Sequence, residues 1–448
     1  MKGFPKIVLV GGGSVNWSPK LISDLTLTPS LQEAQYVLYD IDLLAAERMA
    51  RYGEKLKAER GLNCTFIGTD NRSKAFEGAD YIIITIAVGG LDAMEPDITI
   101  PDEYGIYQTV GDTVGPGGWA RGLRNVPVFA DMARTIESLA PNAVVLNYTN
   151  PMSTLTKTFY EVSNLTTVGL CHGLFECYEV LEQIFKLESE DDIKVKFGGV
   201  NHFFWITDLK IKGEDGHKLL RDKLNGGNLG ELIREVCVDE GGFHSEKWVT
   251  GELFEYFGYL PYVGDRHTSE FFPHYLAPSE GNLEKYKLKR TFIEQRRIRK
   301  RNNTKLVERY ISGEEKLPDT RSRETAADII DAFEQGKDFI DVVNLPNTGQ
   351  ISNLPKGSVV ETLGIVNANG FSPINAGELP EPLKNMVLPH AVNQSIIVEA
   401  ALEGNLEKAY WALYNDPLCS HLDFPKIREM GKRLLEANKE YLPQFFTK

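Results

Sequence analysis

Apolar positions in the first 190 residues form short unbroken runs separated by helical patterns. Lys6-Ile7-Val8-Leu9-Val10 leads into a glycine turn, after which Trp17, Leu21, Ile22 and Leu25 recur at helical spacing. Tyr36–Asp40, Cys64–Ile67, Tyr81–Ile86, Ala143–Tyr148 and Thr167–Cys171 are five more runs of strand length, and Val126–Leu139 is the clearest helical run among them. Apolar runs without polar alternation suit strands covered on both faces. Their alternation with helices predicts a doubly wound parallel sheet. After about residue 190 the pattern changes. Phe203–Ile206 and Leu209–Ile211 read as antiparallel strands near the turn Gly213-Glu214-Asp215-Gly216, and a highly charged helical stretch covers Glu284–Glu308. The expectation is an α/β chain with a Rossmann-like domain over residues 1–195 and an α+β domain over residues 196–448, the active site lying between them.

Composition narrows the function classes. The 448 residues are 42% hydrophobic, ample for buried cores, and contain no unbroken apolar stretch long enough to span a membrane. The start, Met1 to Lys6, lacks the apolar segment of a secretory signal. A formal net charge of -14 leaves no basic excess for nucleic acid or anionic lipid. Cys64, Cys171, Cys177, Cys237 and Cys419 are scattered without metal-finger spacing, which fits free thiols in the reducing cytoplasm.

Gly11-Gly12-Gly13-Ser14-Val15 follows the first strand and opens a helix, the arrangement that lets backbone N–H groups approach a pyrophosphate. The third glycine of the usual fingerprint is replaced by Asn16, so the turn alone also fits a ligand-free strand-to-helix link. Asp40, at the end of the second strand, stands where an acid bonds ribose hydroxyls and repels a 2′-phosphate, so the pair of features points to NAD. Ligands of such sheets bind beyond the carboxyl ends of the strands. Asn147 to Pro151, Cys171-His172-Gly173 and Asn201-His202 all fall there. Cys171 with His172 or His202 offers two ligands to a catalytic metal. On composition alone, a buried thiol and two core histidines is the stronger reading. The glycine-dense segment Gly111 to Gly118, built around Asp112, reads as a loop lining a site or as a surface turn. Gly264-Asp265-Arg266-His267 reads equally as a site cluster or an ion-pair patch.

In this order the segments resemble glycoside hydrolase family four, the NAD- and metal-dependent glycosidases, over essentially the whole chain. The specific parts are Gly11 to Ser14, Gly115-Pro116-Gly117-Gly118, Asn147 to Pro151, Cys171-His172-Gly173 and Asn201-His202, while Gly264 to His267 looks like the α-glucosidase and α-galacturonidase branch. The resemblance implies a malate/lactate dehydrogenase-like fold and a route unlike that of the two-carboxylate glycosidases. NAD oxidises sugar C3, a base takes the proton from C2, the C1 substituent is expelled, water adds, and the hydride returns to C3. It implies Cys171 and His202 as ligands of a divalent ion, typically Mn2+, held weakly because thiolate is softer than manganese prefers. It further implies Asn150 on sugar hydroxyls, Asp265 as base with Tyr262 as fallback, Asp112 as an acid raising that base's strength, and His172 as proton donor or substrate selector. A homodimer or homotetramer acting on a small carbohydrate is also implied.

The segment Gly89 to Asp97 has three acids and no basic residue, and His172 stands where 6-phosphosugar members carry Asn or Asp, so a non-phosphorylated α-glycoside is expected. The resemblance points first to an α-galacturonide, its carboxylate paired with Arg266. α-Glucoside, α-galactoside and α-glucuronide remain alternatives, as does a malate-type 2-hydroxy acid dehydrogenase.

Overall fold

The computed structural model describes residues 3–236 and 246–446. Among these residues the strands join in one 13-stranded sheet. Its first block is β1 (Lys6–Val10), β2 (Gln35–Tyr39), β3 (Thr65–Thr69), β4 (Tyr81–Ile84), β5 (Val144–Asn147) and β6 (Thr166–Gly169). All six run parallel in the order β3-β2-β1-β4-β5-β6. That is the Rossmann order, with its switch point between β1 and β4.

The absence of polar alternation has the expected cause. Val8, Val10, Ile82, Ile84 and Val145 pack on one face of the sheet with Leu123, Phe129, Leu155 and Phe159. Ile7, Leu9, Tyr36, Leu38 and Ile83 pack on the other with Leu21, Met49 and Ile330. Both faces are covered, so both sets of alternating side chains must be apolar.

The second block is antiparallel: β7 (Ile193–Val200), β8 (Phe203–Ile211), β9 (Glu214–Asp215), β10 (Leu260–Pro261), β11 (Phe339–Pro346), β12 (Val359–Asn367) and β13 (Gly370–Pro373). It continues the same sheet, because Asn344 of β11 pairs with Gly169 of β6 and Glu361 of β12 pairs with Gly199 of β7. The two strands expected at 203–206 and 209–211 are one strand. The polar pair Thr207-Asp208 that suggested a break is absorbed where the β7–β8 register shifts between Lys196 and Phe197.

Two helices also differ from expectation. Gly115 to Gly118, read as loop, forms the first turn of the helix Gly115–Leu139. Pro116 suits a first helical turn, and the glycines are required by contact: a Cβ on Gly118 would lie 2.4 Å from the Thr113 carbonyl carbon. The charged stretch 284–308 divides into the end of the helix Gly281–Lys285 and most of the helix Ile293–Ser312. Among the described residues no helix is long and apolar enough to cross a membrane. Cys64, Cys171, Cys177 and Cys419 are free thiols, and Cys237 lies outside the described residues.

Candidate active site

A cleft of about 630 Å³ opens beyond the carboxyl ends of the parallel strands. It reaches from Asn16, Trp17 and Lys20, after the glycine turn, to Asn150, Cys171, His172, His202 and Tyr262. The sheet thus gathers segments that lie up to 308 residues apart in the chain, from Asn16 to Glu324.

At the turn, Gly11 has φ +80, and the N–H groups of Gly11 and Gly12 both donate to the Tyr39 carbonyl at 2.9 Å. A Cβ on Gly12 would sit 2.7 Å from Leu38 Cα, and one on Gly13 2.5 Å from Ala45 Cβ. Close packing on β2 therefore demands these glycines before any ligand is considered. Asp40 closes the turn: its Oδ2 accepts from Gly13 N–H at 3.0 Å and its Oδ1 from Asp42 N–H at 3.0 Å. The helix itself starts later than expected, at Ser18, with Ser14 Oγ accepting from Trp17 N–H. Asn16, in place of a third glycine, accepts from Asn303 Nδ2 at 2.7 Å and so ties the turn to the helix Ile293–Ser312. A narrow backbone cradle, an adjacent ribose-side acid and a cleft running past both suit a dinucleotide.

The second centre lies deeper. Val200 ends β7 and Phe203 starts β8, so Asn201-His202 is a two-residue hairpin turn. His202 holds φ +64 there, the left-handed backbone of a tight turn, which is uncommon outside glycine though histidine, asparagine and aspartate adopt it more readily than other residues. Ligand atoms of Asp112, His202 and His267 all lie within 4.8 Å of one another. The His202 and His267 rings stack with centroids 3.8 Å apart. Thr113 Oγ1 donates to Asp112 Oδ1 at 2.8 Å and lies 3.0 Å from His202 Nδ1. With the hydroxyl proton on the carboxylate, Nδ1 carries the ring proton and Nε2 keeps its lone pair.

The electrostatics favour a cation here. Burial opposes ionisation of Asp112, yet His267, Arg121 and His202 together hold its carboxyl well below the usual range. Burial, reinforced by the neighbouring His267, drives His202 to the neutral form, and burial does the same to His267. One carboxylate and two neutral imidazoles form a donor set suited to a hard or borderline divalent ion. Asn150 Oδ1 and His267 Nδ1 are buried without hydrogen-bond partners among the described residues, as expected of groups that await ligand contacts.

Cys171 is outside the three-residue cluster but lines the same cleft. Burial raises its thiol well above the usual value, and the nearby Glu361 adds to this. Opposing it are the Gly173 N–H, at the start of the helix Gly173–Phe185, and the Asn201 amide. The helix N-terminus and an incoming cation both favour the thiolate. Glu361, which no sequence motif marked, is fully buried and accepts from Asn344 Nδ2 at 2.8 Å and from Asn201 Nδ2 at 3.1 Å. It thereby fixes the residue beside His202.

His172 is 45% exposed at the rim, 3.7 Å from both Glu176 and Glu324. Asp265 also lines the cleft, but its carboxylate is engaged. It is 1% exposed, and its Oδ2 and Oδ1 accept from the Val249 and Thr250 N–H groups at 2.7 and 2.9 Å, with the Thr250 hydroxyl also on Oδ1. It caps the helix Trp248–Phe257. Burial raises its carboxyl to about 6, against the influence of Lys247 and these hydrogen bonds. Tyr262 instead lies parallel to the His202 ring at 6.0 Å, in the field of Glu176 and Cys171. Arg266 is braced by its Nη2, which donates to the Thr109 carbonyl at 3.2 Å and to Thr291 Oγ1.

The acids of Gly89 to Asp97 do not act as expected. Arg297 pairs with Asp92 at 2.9 Å and Glu95 at 2.8 Å, and Asp97 is buried in a two-point pair with Arg124 at 2.6 and 3.0 Å. Two arginines thus offset two of the three acidic charges, which weakens the expected barrier to an anion without removing it. The cleft wall is basic instead, with Lys20, Lys247, Arg266, Arg296, Arg299 and Lys300 lining it.

Comparison with known proteins agrees with this arrangement. The family model described as Family 4 glycosyl hydrolase matches residues 6–187, and that of the Family 4 glycosyl hydrolase C-terminal domain matches residues 197–419. An alpha-galacturonidase of Bacillus subtilis (strain 168) is 36% identical over 424 residues, 92% of this chain and 93% of that protein. The crystal structure of lplD from Bacillus subtilis superposes with a TM-score of 0.88 at 33% identity, covering 96% of this chain and 99% of its own. The 6-phospho-beta glucosidase of Thermotoga maritima, solved with manganese, NAD+ and glucose-6-phosphate, shares the fold at a TM-score of 0.78 and 23% identity, over 98% of this chain and 99% of its own. With both halves matched by the paired models, the chain belongs to family 4 of the glycosyl hydrolases.

Proposed function

We propose that the protein is an NAD- and divalent-metal-dependent glycosidase that hydrolyses non-phosphorylated α-glycosides, α-galacturonides first among them. The observation that carries the reading is the convergence of Asp112, His202 and His267 within 4.8 Å, beside Cys171, in a cleft that also reaches the glycine turn. A dinucleotide-binding dehydrogenase of 2-hydroxy acids needs one His–Asp pair and no such ligand cluster, and family membership sets that alternative aside. The 36% identical alpha-galacturonidase and the basic cleft wall support an acidic sugar. The cytoplasmic, homo-oligomeric enzyme implied by the family resemblance belongs to the same reading.

When bound, NAD supplies a reversible hydride acceptor and the cation a Lewis acid beside the reacting carbons. The chain's residues do the rest. Gly11, Gly12, Gly13, Ser14 and Val15 shape the turn that takes the pyrophosphate, and Asp40 takes the ribose hydroxyls. Cys171 and His202, with His267 and Asp112 alongside, hold the cation. Asn150, whose Oδ1 has no hydrogen-bond partner among the described residues, orients sugar hydroxyls. Tyr262, after its own hydroxyl proton has passed to solvent against the burial that holds it on, takes the proton from sugar C2, because both Asp265 oxygens are engaged at a helix start. Asp112 stays ionised beside Arg121 and offers its carboxylate to the cation that the neutral His202 and His267 flank. His172, at the rim, gives a proton to the departing oxygen.

A panel of nitrophenyl α-glycosides and galacturonides, assayed with NAD, Mn2+ and thiol, tests the reading. Hydrolysis of an α-galacturonide without net accumulation of NADH is expected. Accumulation of NADH with malate or lactate, and no glycoside turnover, would overturn it.

A further inference from the structure

The helix Ile293–Ser312 crosses the mouth of the cleft, and one of its faces is unlike the others. Arg296, Arg299, Lys300 and Asn303 follow i, i+3, i+4, i+7 spacing and share that face. The first three line the cleft, and Asn303 reaches the glycine turn through Asn16. The intervening basic residues behave differently: Arg297 turns to Asp92 and Glu95, and Arg301 pairs with Glu294. The basic residues on the cleft-facing side are therefore a distinct set from those that satisfy surface acids.

Arg296 is the deepest of the set. Its Nε is buried with no hydrogen-bond partner among the described residues. Its charged surroundings are Asp112, Arg266, Glu270 and Arg299. Neither acid accepts a hydrogen bond from its Nε. Asp112 answers to His267, Arg121 and His202 as well, and Glu270 already accepts from the Val110 and Gly111 N–H groups at 2.7 and 2.8 Å through Oε1. A guanidinium kept out of water beside two others is costly unless an anion arrives. Glu270 Oε2 is likewise buried without a hydrogen-bond partner among the described residues, so no bond within the chain ties up Arg296 Nε against an anion that enters the cleft.

Resting on the galacturonide reading, we infer that Arg296, rather than Arg266, is the guanidinium that receives the C6 carboxylate of the substrate and sets the preference for acidic over neutral sugars. C6 and the C2–C3 edge lie on opposite sides of a pyranose ring. A sugar whose O2 and O3 face the Asp112–His202–His267 corner therefore presents its carboxylate to another wall of the cleft, and Arg296 stands on the wall formed by the helix. Arg266 braces that wall through Thr109 and Thr291. A planar guanidinium with open N–H groups matches a carboxylate in a way no neutral hydroxymethyl group does.

The test compares matched nitrophenyl α-galacturonide and α-galactoside on the wild-type holoenzyme, Arg296→Gln and Arg296→Lys, with binding of free galacturonate measured calorimetrically on each. In Arg296→Gln the galacturonide-to-galactoside ratio of kcat/KM should fall by at least about 30-fold, mostly through KM, since removing one partner of a buried charge pair usually costs that much or more. Galacturonate binding should weaken in parallel, and Arg296→Lys should recover part of both. If wild type prefers the galacturonide and Arg296→Gln keeps that preference, the assignment of Arg296 fails while the galacturonide reading stands. If wild type shows no preference for the acidic sugar, both fail.

Discussion

Replacing His202 by alanine should lower metal-dependent glycoside hydrolysis by more than about 100-fold, beyond the 10- to 100-fold loss typical of residues that only support a metal ligand. His202 sits where the β7–β8 hairpin leaves no room for drift. Its ring is clamped between the parallel Tyr262 and His267 rings, and its Nδ1 is fixed by Thr113. The proposed ligand atom is thus aimed by its neighbours, and without it the cation would be left to Cys171, His267 and Asp112. Manganese affinity, read by electron paramagnetic resonance, should fall with activity, while NAD binding at the distant glycine turn should be retained. Because the position has φ +64, His202→Asn is the companion variant, as asparagine tolerates left-handed backbone better than alanine. Full manganese affinity in a folded His202→Asn protein would remove His202 from the ligand set.

The second large effect is expected at Tyr262. A general base typically contributes 10²- to 10⁴-fold, so Tyr262→Phe should reduce kcat by roughly that factor while leaving the fold intact. Asp265→Asn should show the reverse pattern. Asparagine keeps a side-chain oxygen for the helix start but brings an amide NH2 against donors, so the loss should appear mainly as a lower Tm, with about 0.5–2 kcal/mol expected for a damaged cap. The geometry behind this contrast is plain: both Asp265 oxygens are engaged at the start of the helix Trp248–Phe257, whereas Tyr262 shares its surroundings with Cys171 and His202. A large kcat loss in a thermally unaltered Asp265→Asn enzyme, with Tyr262→Phe active, would return the base role to Asp265.

Local pattern made the first half of the fold legible. Strands β1 to β6 stand where unbroken apolar runs place them because both faces of a parallel sheet are buried, and that constraint acts on every residue of a run. The antiparallel half was harder to read. Thr207-Asp208 looked like a break because a bulge tolerates polar residues mid-strand, and Gly115 to Gly118 looked like a loop because glycine's low helix propensity outweighed a packing demand visible only against Thr113. At the site, Asp112, Asn150, Cys171, His172 and His202 stand at strand ends or in tight turns, but only the family resemblance turned that placement into site roles, since a buried thiol and core histidines were the stronger reading of the residues alone. Asp265 carried the same kind of signal, yet its carboxylate serves a helix that begins 17 residues earlier in the chain, at Trp248. Arg296 was concealed in a stretch where nearly every residue is charged. Its signal was the spacing of 296, 299, 300 and 303 on one face, which acquires meaning only once that face is seen to front a cleft. Glu361 had no signal, since a lone acid in an apolar strand is recognised only by the two asparagines that reach it.

The central claim is that the proton on sugar C2 is removed within this cleft before the glycosidic bond is broken. Hydrolysis of a nitrophenyl α-galacturonide in deuterated water, with NAD and Mn2+ present, tests it directly through the NMR spectrum of the released sugar. Deuterium at C2 of the product is the expected result; product that keeps ordinary hydrogen at C2 after complete turnover would contradict the account.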